Sequence, residues 1–415
     1  MKVAIVHDAL NRSGGAERVV AVLHRMFPDA PIFTTFFDKR AVGLPLAKAD
    51  VRVSWLQGLP KVKRHSRRYA PLHPFAMRSF DLRGYDVVIT SGSAFAKGVR
   101  VPPSALHLCY CYSPMRWAWS FEQHADRAAL TASARVAARL ALPALRRWDF
   151  ASARNVGRFV AVSTEVSERI RTTYGRGSEI VFPPVDVGRF RHDRPAGDDF
   201  LVVSRLDAYK RIDLAVRACT TLGLPLLVVG DGPERETLRS IAGPTVRFAG
   251  KLTDREVTSR FERCRALILP GEDDFALTPL EANAAGRPVV AFARGGALDT
   301  VRDGETGVLF HDDTAESLEG ALRALQERSW DAAPLRAHAE TFSEEVFVSR
   351  FRTVLTWRWS SGSWGASART TRRKLVQAPS RKCFTRRNAE ARRTALGDQA
   401  IKGSESLIGS TTLTP

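Results

Sequence analysis

The sequence predicts an α/β protein built from two doubly wound, Rossmann-like domains that face each other across a cleft. Three observations predict it. Short apolar runs alternate with amphipathic stretches almost from the first residue, the pattern of parallel sheets covered on both faces. The pattern stops at Pro183-Pro184, passes through a polar stretch without period, and restarts at Phe200. The chain has 415 residues, more than one core of ordinary size accommodates at ~150 residues per domain.

In the first half, residues 3–7 are expected as a buried strand and 16–27 as an amphipathic helix. Further strands are expected at 32–37, 51–55, 86–90, 106–110 and 159–162, with another ending just before Pro183. Residues 128–154 are rich in Ala, Arg and Leu at helical spacing, with Pro143 expected to interrupt the helix. The second series runs as strand 200–204, helix 211–221, strand 226–230, helix 234–241, strand 245–249 and helix 254–264. Strand 266–269, helix 279–285, strand 289–292 and helix 315–325 complete it. The expected organisation is therefore a first domain over 1–184, a linker over 185–199, a second domain over 200–341 and a terminal helix over 342–358. Residues 359–415, poor in aliphatics and rich in Ser, Thr, Arg and Gly, are expected to be a disordered basic tail. In sheets of this kind ligands sit beyond the carboxyl ends of the strands, and two such edges facing each other suit two substrates.

Hydrophobic residues make up 44% and charged residues 26%, the balance of a globular protein and not of a disordered, collagen-like or polytopic membrane chain. No uncharged apolar run approaches the ~18 residues of a spanning helix. The first strand follows Met1-Lys2 directly, so a signal peptide is not expected and the expected location is cytoplasmic, with peripheral contact at the inner face of the membrane. Five cysteines are sparse, and Cys109-Tyr110-Cys111 lacks zinc-knuckle spacing; buried free thiols are expected. The net charge of +19 is uneven, because residues 355–415 carry a surplus of nine positive charges. Such a balance attracts phosphates, whether of nucleotide, nucleic acid or anionic lipid, or else reflects a basic tail on an ordinary body. The cationic run from Pro60 to Tyr69, followed by Pro71, Leu72, Pro74, Phe75 and Met77, suits an interface with anionic lipid or a polyprenyl diphosphate.

Three stretches carry candidate chemistry. Gly14-Gly15 joins the first strand to the first helix, where the backbone can approach a ligand closely and a helix N-terminus attracts negative charge. It is neither G-x-G-x-x-G nor a Lys-bearing phosphate loop. Arg205, Lys210 and Arg211 cluster just after the first strand of the second domain, where a phosphate would meet a guanidinium fork and an ammonium point charge. The run Glu272-Asp273-Asp274 follows another strand, and Glu281 lies eight positions after Asp273. Thr278 fits an N-cap, Pro279 the first helical position and Glu281 the third, so a capping box accounts for Glu281 without any ligand. The chain contains no D-x-D, and no metal or other cofactor is expected.

With these residues in view, the second domain resembles the retaining glycosyltransferases of family 4, which have the two-domain GT-B fold. V-S-R-L-x-x-Y-K-R-I-D-L, V-V-G-D-G-P-E, F-A-G-K-L and D-D-F-A-L-T-P-L-E-A-N-A-A-G-R-P-V-V-A occur in that family's order and spacing, covering about residues 200–310. The first domain resembles it more loosely, in G-G-A-E-R and from Ala94 to Trp117. Within the family the chain looks most like bacterial mannosyltransferases of surface polysaccharide synthesis.

The resemblance implies transfer of a hexose, mannose from GDP-mannose, with retention onto a glycan or polyprenyl-diphosphate-linked acceptor. It implies that Arg205 and Lys210 hold the donor diphosphate, that Asp273 contacts the donor sugar, and that Glu281 binds the ribose with Leu277 and Thr278 beside it. Gly14 and Gly15 would form the acceptor-side phosphate loop. The chain departs from the family pattern with Asp273 for Glu, Ala276 for Gly and Tyr112 for His. Two other classes stay open on the residues alone: a GT-B-type nucleotide-sugar epimerase, which needs no acceptor, and a basic nucleic-acid-binding protein, whose affinity would fall steeply with salt.

Overall fold

A computed structural model describes residues 1–62, 66–122 and 131–356. Two all-parallel sheets organise it. The first has seven strands in the order β3-β2-β1-β4-β5-β6-β7 and the second six, in the order β10-β9-β8-β11-β12-β13. In the first, β1 is Val3–His7, β2 Ile32–Thr34, β3 Val51–Val53, β4 Val87–Gly92, β5 Leu106–Cys111, β6 Arg158–Ala161 and β7 Ser178–Ile180. In the second, β8 is Phe200–Val203, β9 Leu226–Val229, β10 Val246–Gly250, β11 Ala266–Leu269, β12 Val289–Phe292 and β13 Gly307–Phe310.

The helices that matter below are α1 (Gly15–Met26), α2 (Ala132–Arg154), α3 (Thr164–Tyr174), α4 (Ile212–Thr221), α5 (Asp254–Arg263), α6 (Thr278–Ala284), α7 (Ala315–Gln326), α8 (Ala332–Glu340) and α9 (Glu344–Thr356). Central strands such as β1, β5, β9 and β11 are buried at every position, which is why they appear in the sequence as continuous apolar runs. Each sheet reverses its strand order beside its first strand, at β1 and at β8, and that switch point opens a crevice at the carboxyl edge.

Each sheet has its own core. Ile5, Leu23, Leu108 and Phe159 belong to the first, Leu201, Leu267, Leu280 and Val289 to one face of the second, and Val202, Ala215 and Leu322 to its other face. The chain crosses between the sheets twice. Val185 pairs with Ser343 in an isolated bridge, and α9 then returns to the first core through Phe347 and Phe351.

Some expectations need correcting. Pro143 lies inside an unbroken α2, because the second half of that helix is fixed by burial of Asp149, Ser152 and Ala153. The strands β2 and β3 are shorter than expected. The helices α3 and α8 and the strand β13 add to the elements expected from the sequence. Yet α3 has recognisable ends, with the Ser163 side chain accepting from the Val166 N–H and left-handed Gly175 (φ 64°) closing it. Cys109, Cys111, Cys219 and Cys264 are buried free thiols.

The expected tail falls outside the described residues, as do Lys63, Arg64 and His65 of the basic run. Of the apolar residues after that run, Phe75 is 67% exposed, whereas Met77 is buried against Ala4, Val6 and Phe33. No described helix is long and apolar enough to cross a membrane.

Candidate active site

The site grows from the carboxyl edge of the second sheet. After β8 the chain runs through Ser204 and Arg205 into a 3₁₀ turn, Ala208–Lys210, and Arg211 in the left-handed region (φ 51°) starts α4. Gly230 (φ 136°) passes directly against the Ser204 carbonyl, so close that any Cβ there would collide with it. The V-V-G-D-G-P-E segment is thus the backing of the S-R-L segment.

Arg205 donates to the Tyr209 hydroxyl at 2.7 Å and lies 2.8 Å from Asp207. The Lys210 ammonium lies over the Tyr209 ring and bonds Asp273 Oδ1. Lys210 and Asp273 are both mostly buried. Three of the expected residues, Arg205, Lys210 and Asp273, therefore converge through Tyr209.

The acidic run sorts by side. Asp273 faces Lys210 within its own domain, while its two neighbours turn toward the first domain. Asp274 Oδ1 accepts from Arg169 and forms an ion pair with Arg116, and Glu272 accepts from Arg169 Nη2 at 2.9 Å. Arg116 opens a single helical turn (Arg116–Trp119) beyond β5, and Arg169 lies on α3. Burial opposes the charge on Arg116, but Asp274 more than compensates, and its pKa is raised.

Glu281 sits at the other end of this segment, 5% exposed. Its Oε1 accepts from Arg18 Nη1 at 2.6 Å, with Arg189 Nη1 at 4.0 Å. Burial works against the Arg18 charge, and Glu281, aided by Asp254 and Asp186, overcomes it and raises the pKa.

The capping box expected at Thr278 does not form. The helix begins one residue early, with Leu277 in the cap position and the Glu281 N–H bonded to the Leu277 carbonyl at 2.9 Å. Arg18 takes the carboxylate that a box would have needed. A capping box does close the start of α5, between Thr253 and Glu256.

Gly15 touches the same segment, since a Cβ on it would lie 3.2 Å from Leu277 Cδ1. Gly15 therefore meets Leu277 at the start of α6, across the cleft from one domain to the other, while Gly14 lies against Glu17 of its own helix. Beside this contact a cavity of about 780 Å³ opens, lined by Arg18, Arg189, Asp254, Thr258, Leu277 and Glu281 among others.

Tyr112, which stands where the family pattern has His, turns inward. Its hydroxyl donates to the Ala16 carbonyl at 3.1 Å and lies 3.0 Å from Ser91 Oγ; burial pushes its pKa up. Tyr112 thus ties the end of β5 to the start of α1. Among the described residues no group of three or more His, Cys, Asp and Glu is arranged to hold a metal ion.

Sequence reasoning missed Arg18, Arg116, Arg169 and Tyr209. Arg18 and Tyr209 stand inside the quoted G-G-A-E-R and V-S-R-L-x-x-Y-K-R strings and Arg116 inside the stretch from Ala94 to Trp117, but the partners of Arg18 and Arg116 lie 263 and 158 positions away, and spacing cannot pair them.

Two sheets meeting at their carboxyl edges, with cations after β8 and an acidic segment after β11, define the class. Residues 189–342 match the family model for Glycosyl transferases group 1, and the fold is that of GT-B glycosyltransferases. Sucrose-phosphate synthase from Thermosynechococcus elongatus aligns over 86% of this chain and 99% of its own, at TM-score 0.67 and 18% identity. Anabaena Alr3699/HepE, solved with UDP and glucose, aligns over 86% and 99%, at TM-score 0.63 and 17% identity.

In sequence, the chain is 33% identical over 195 residues to D-inositol 3-phosphate glycosyltransferase of Mycobacterium avium, covering 40% of this chain and 46% of that one. It is 28% identical over 196 residues to the GDP-mannose-dependent alpha-(1-6)-phosphatidylinositol monomannoside mannosyltransferase of Mycobacterium tuberculosis, covering 40% and 51%. The chain spans about half the length of these relatives.

Proposed function

We propose that the protein is a nucleotide-sugar-dependent hexosyltransferase that moves mannose from GDP-mannose, with retention, onto a glycan or polyprenyl-diphosphate-linked acceptor in surface polysaccharide synthesis. It would act in the cytoplasm at the inner face of the membrane. Residues 1–184 would serve the acceptor and 200–341 the donor. The observation that carries the reading is the convergence of Arg205, Tyr209, Lys210 and Asp273 at the end of β8, next to an acidic segment that ends in the buried Glu281. The likeness to a GDP-mannose-dependent relative supports the choice of donor.

In this reading the bond between the anomeric carbon and the diphosphate oxygen breaks and its electron pair stays on that oxygen. Arg205 and Lys210, fixed before the reaction, stabilise the charge that grows there. Asp273, which pairs with Lys210, orients the ammonium and then a sugar hydroxyl. Glu281 accepts from a ribose hydroxyl through its second oxygen, the first being held by Arg18. Gly14 and Gly15 let the backbone at the start of α1 close on the phosphates.

The test is a screen of GDP-, UDP-, ADP- and dTDP-sugars for binding and slow hydrolysis by the purified protein, repeated with candidate acceptors. GDP-mannose should bind tightest, and turnover should rise with acceptor. Turnover independent of any acceptor would point to an epimerase, and absence of binding would remove the donor reading.

A further inference from the structure

We propose that Arg116 is a cation the first domain contributes to the donor diphosphate, held on Asp274 until the donor arrives; this rests on the donor reading above. Three observations and one chemical argument lead to it. The guanidinium reaches across the cleft to the acidic segment whose middle member, Asp273, holds Lys210. Asp274 and Asp273 are consecutive residues, so the carboxylate that holds Arg116 is next in the chain to the one that holds Lys210.

Second, the turn that carries Arg116 is anchored from behind. Trp119 Nε1 donates to Asp149 at 2.7 Å, Tyr174 donates to the same oxygen at 2.7 Å, and the buried Lys97 ammonium lies 2.6 Å from the other oxygen. Arg146 Nε adds a bond to the Ala118 carbonyl at 2.7 Å. The arm is flexible, but its base is fixed.

Third, Arg116 and Arg169 share Asp274 Oδ1 unequally. Arg169 also bonds Glu272 and Glu165, each at 2.9 Å, whereas Asp274 is the one ion-pair partner of Arg116 among the described residues. Arg116 can therefore leave without stranding the carboxylate, since Arg169 remains on it. Leaving a buried charge unpaired is the costly outcome, and it is avoided here.

Fourth, a diphosphate offers Arg116 more than Asp274 does. A guanidinium fork matches two phosphate oxygens, and a ligand of two or more negative charges outcompetes a carboxylate already shared with a second arginine. In the transfer step the anomeric C–O bond breaks and its electron pair goes to the β-phosphate oxygen. The acceptor hydroxyl oxygen forms the new bond, and its proton passes to the departing phosphate. Arg116 would add a charge from the first domain to those of Arg205 and Lys210 at that phosphate.

The experiment is calorimetric titration of the full chain with GDP, GMP, UDP and UMP, for the parent, Arg116→Met, Arg116→Lys, Asp274→Asn and Lys210→Ala. Arg116→Met should weaken the diphosphate of the preferred base roughly 10- to 100-fold, the loss expected of one charge-assisted contact, and leave the monophosphate unchanged. Arg116→Lys should recover part of the loss. Asp274→Asn should bind the diphosphate as well as the parent or better, because it releases Arg116.

Equal weakening by Arg116→Met and Asp274→Asn would overturn the proposal, making the pair a structural tie between domains. Unchanged diphosphate affinity in Arg116→Met while Lys210→Ala is weakened would also overturn it and leave the donor site standing. Unchanged affinity in both Arg116→Met and Lys210→Ala would remove the donor reading itself.

Discussion

Arg18 on the first helix of one domain holds Glu281 Oε1 at 2.6 Å on the other, so the residue proposed to take the donor ribose is already engaged across the cleft. The pair fixes one carboxylate oxygen and, with the Gly15–Leu277 contact, brings the two sheet edges together at the base of the cleft. On the proposed reading, nucleotide entry and domain approach act on the same side chain, and each would affect the other.

Glu281→Gln should weaken GDP binding at least tenfold while costing about 1 kcal/mol of stability, a melting-point loss of roughly 2–4 °C. The stability cost stays small because the Arg18 side chain is 38% exposed and can turn to water. Calorimetric titration and thermal unfolding on the same sample separate the two effects. Unaltered GDP affinity would make Glu281 a structural ion-pair partner only.

Lys210→Ala should lower kcat/KM by ~10²–10³, the scale for losing one preorganised charge-stabilising group, with the fold intact. Turnover should also persist in EDTA. The acids best placed to recruit a metal, Glu272 and Asp274, are occupied by Arg169 and Arg116. Complete inhibition by EDTA, restored by Mg²⁺ or Mn²⁺, would assign the diphosphate charge to a metal instead.

The buried Lys97–Asp149 pair should be essential to the first domain. Asp149→Asn leaves the Lys97 charge without its counterion, and a loss of about 3–5 kcal/mol in urea unfolding is expected. The double variant Lys97→Met/Asp149→Leu should recover much of it, because no charge is then left unpaired. A double variant no more stable than Asp149→Asn would show that the hydrogen bonds from Trp119 and Tyr174 dominate.

Stability should fall between pH 6.5 and 4 in part through His107. Burial depresses its pKa from 6.5 to about 4, so the unfolded chain binds the proton first. The neutral ring is suited to its place, with Nε2 3.1 Å from Thr90 Oγ1 and Nδ1 3.3 Å from the Asn155 carbonyl. Its contribution is fully present above pH 6.5 and is lost as pH falls toward 4, by about 3 kcal/mol at most. Urea unfolding at pH 7, 6 and 5 should show a shallower pH slope for His107→Gln than for the parent; equal slopes would show that other groups carry the dependence.

Much of the fold is visible in the chain because central parallel strands are buried on both faces, and burial there demands consecutive apolar residues. β1, β11 and β12 occupy the residues expected of them. Edge and surface elements escape the same reasoning. β13 and α8 have mixed burial, and α2 continues through a proline because its far half is buried.

At the candidate site the division is sharper. Sequence alone determined two doubly wound sheets, a cationic turn after β8, an acidic run after β11 and Glu281 on the helix that follows, since all of these are local in the chain. Tertiary structure decided what each charge faces. Asp273 turns to Lys210, its neighbours turn to Arg169 and Arg116, and Glu281 turns to Arg18 in place of its own helix start. The physical reason is range. A strand or a cap is set by neighbours a few residues away, whereas an ion pair forms between whichever opposite charges packing leaves within a few ångströms, here groups 63 to 263 positions apart.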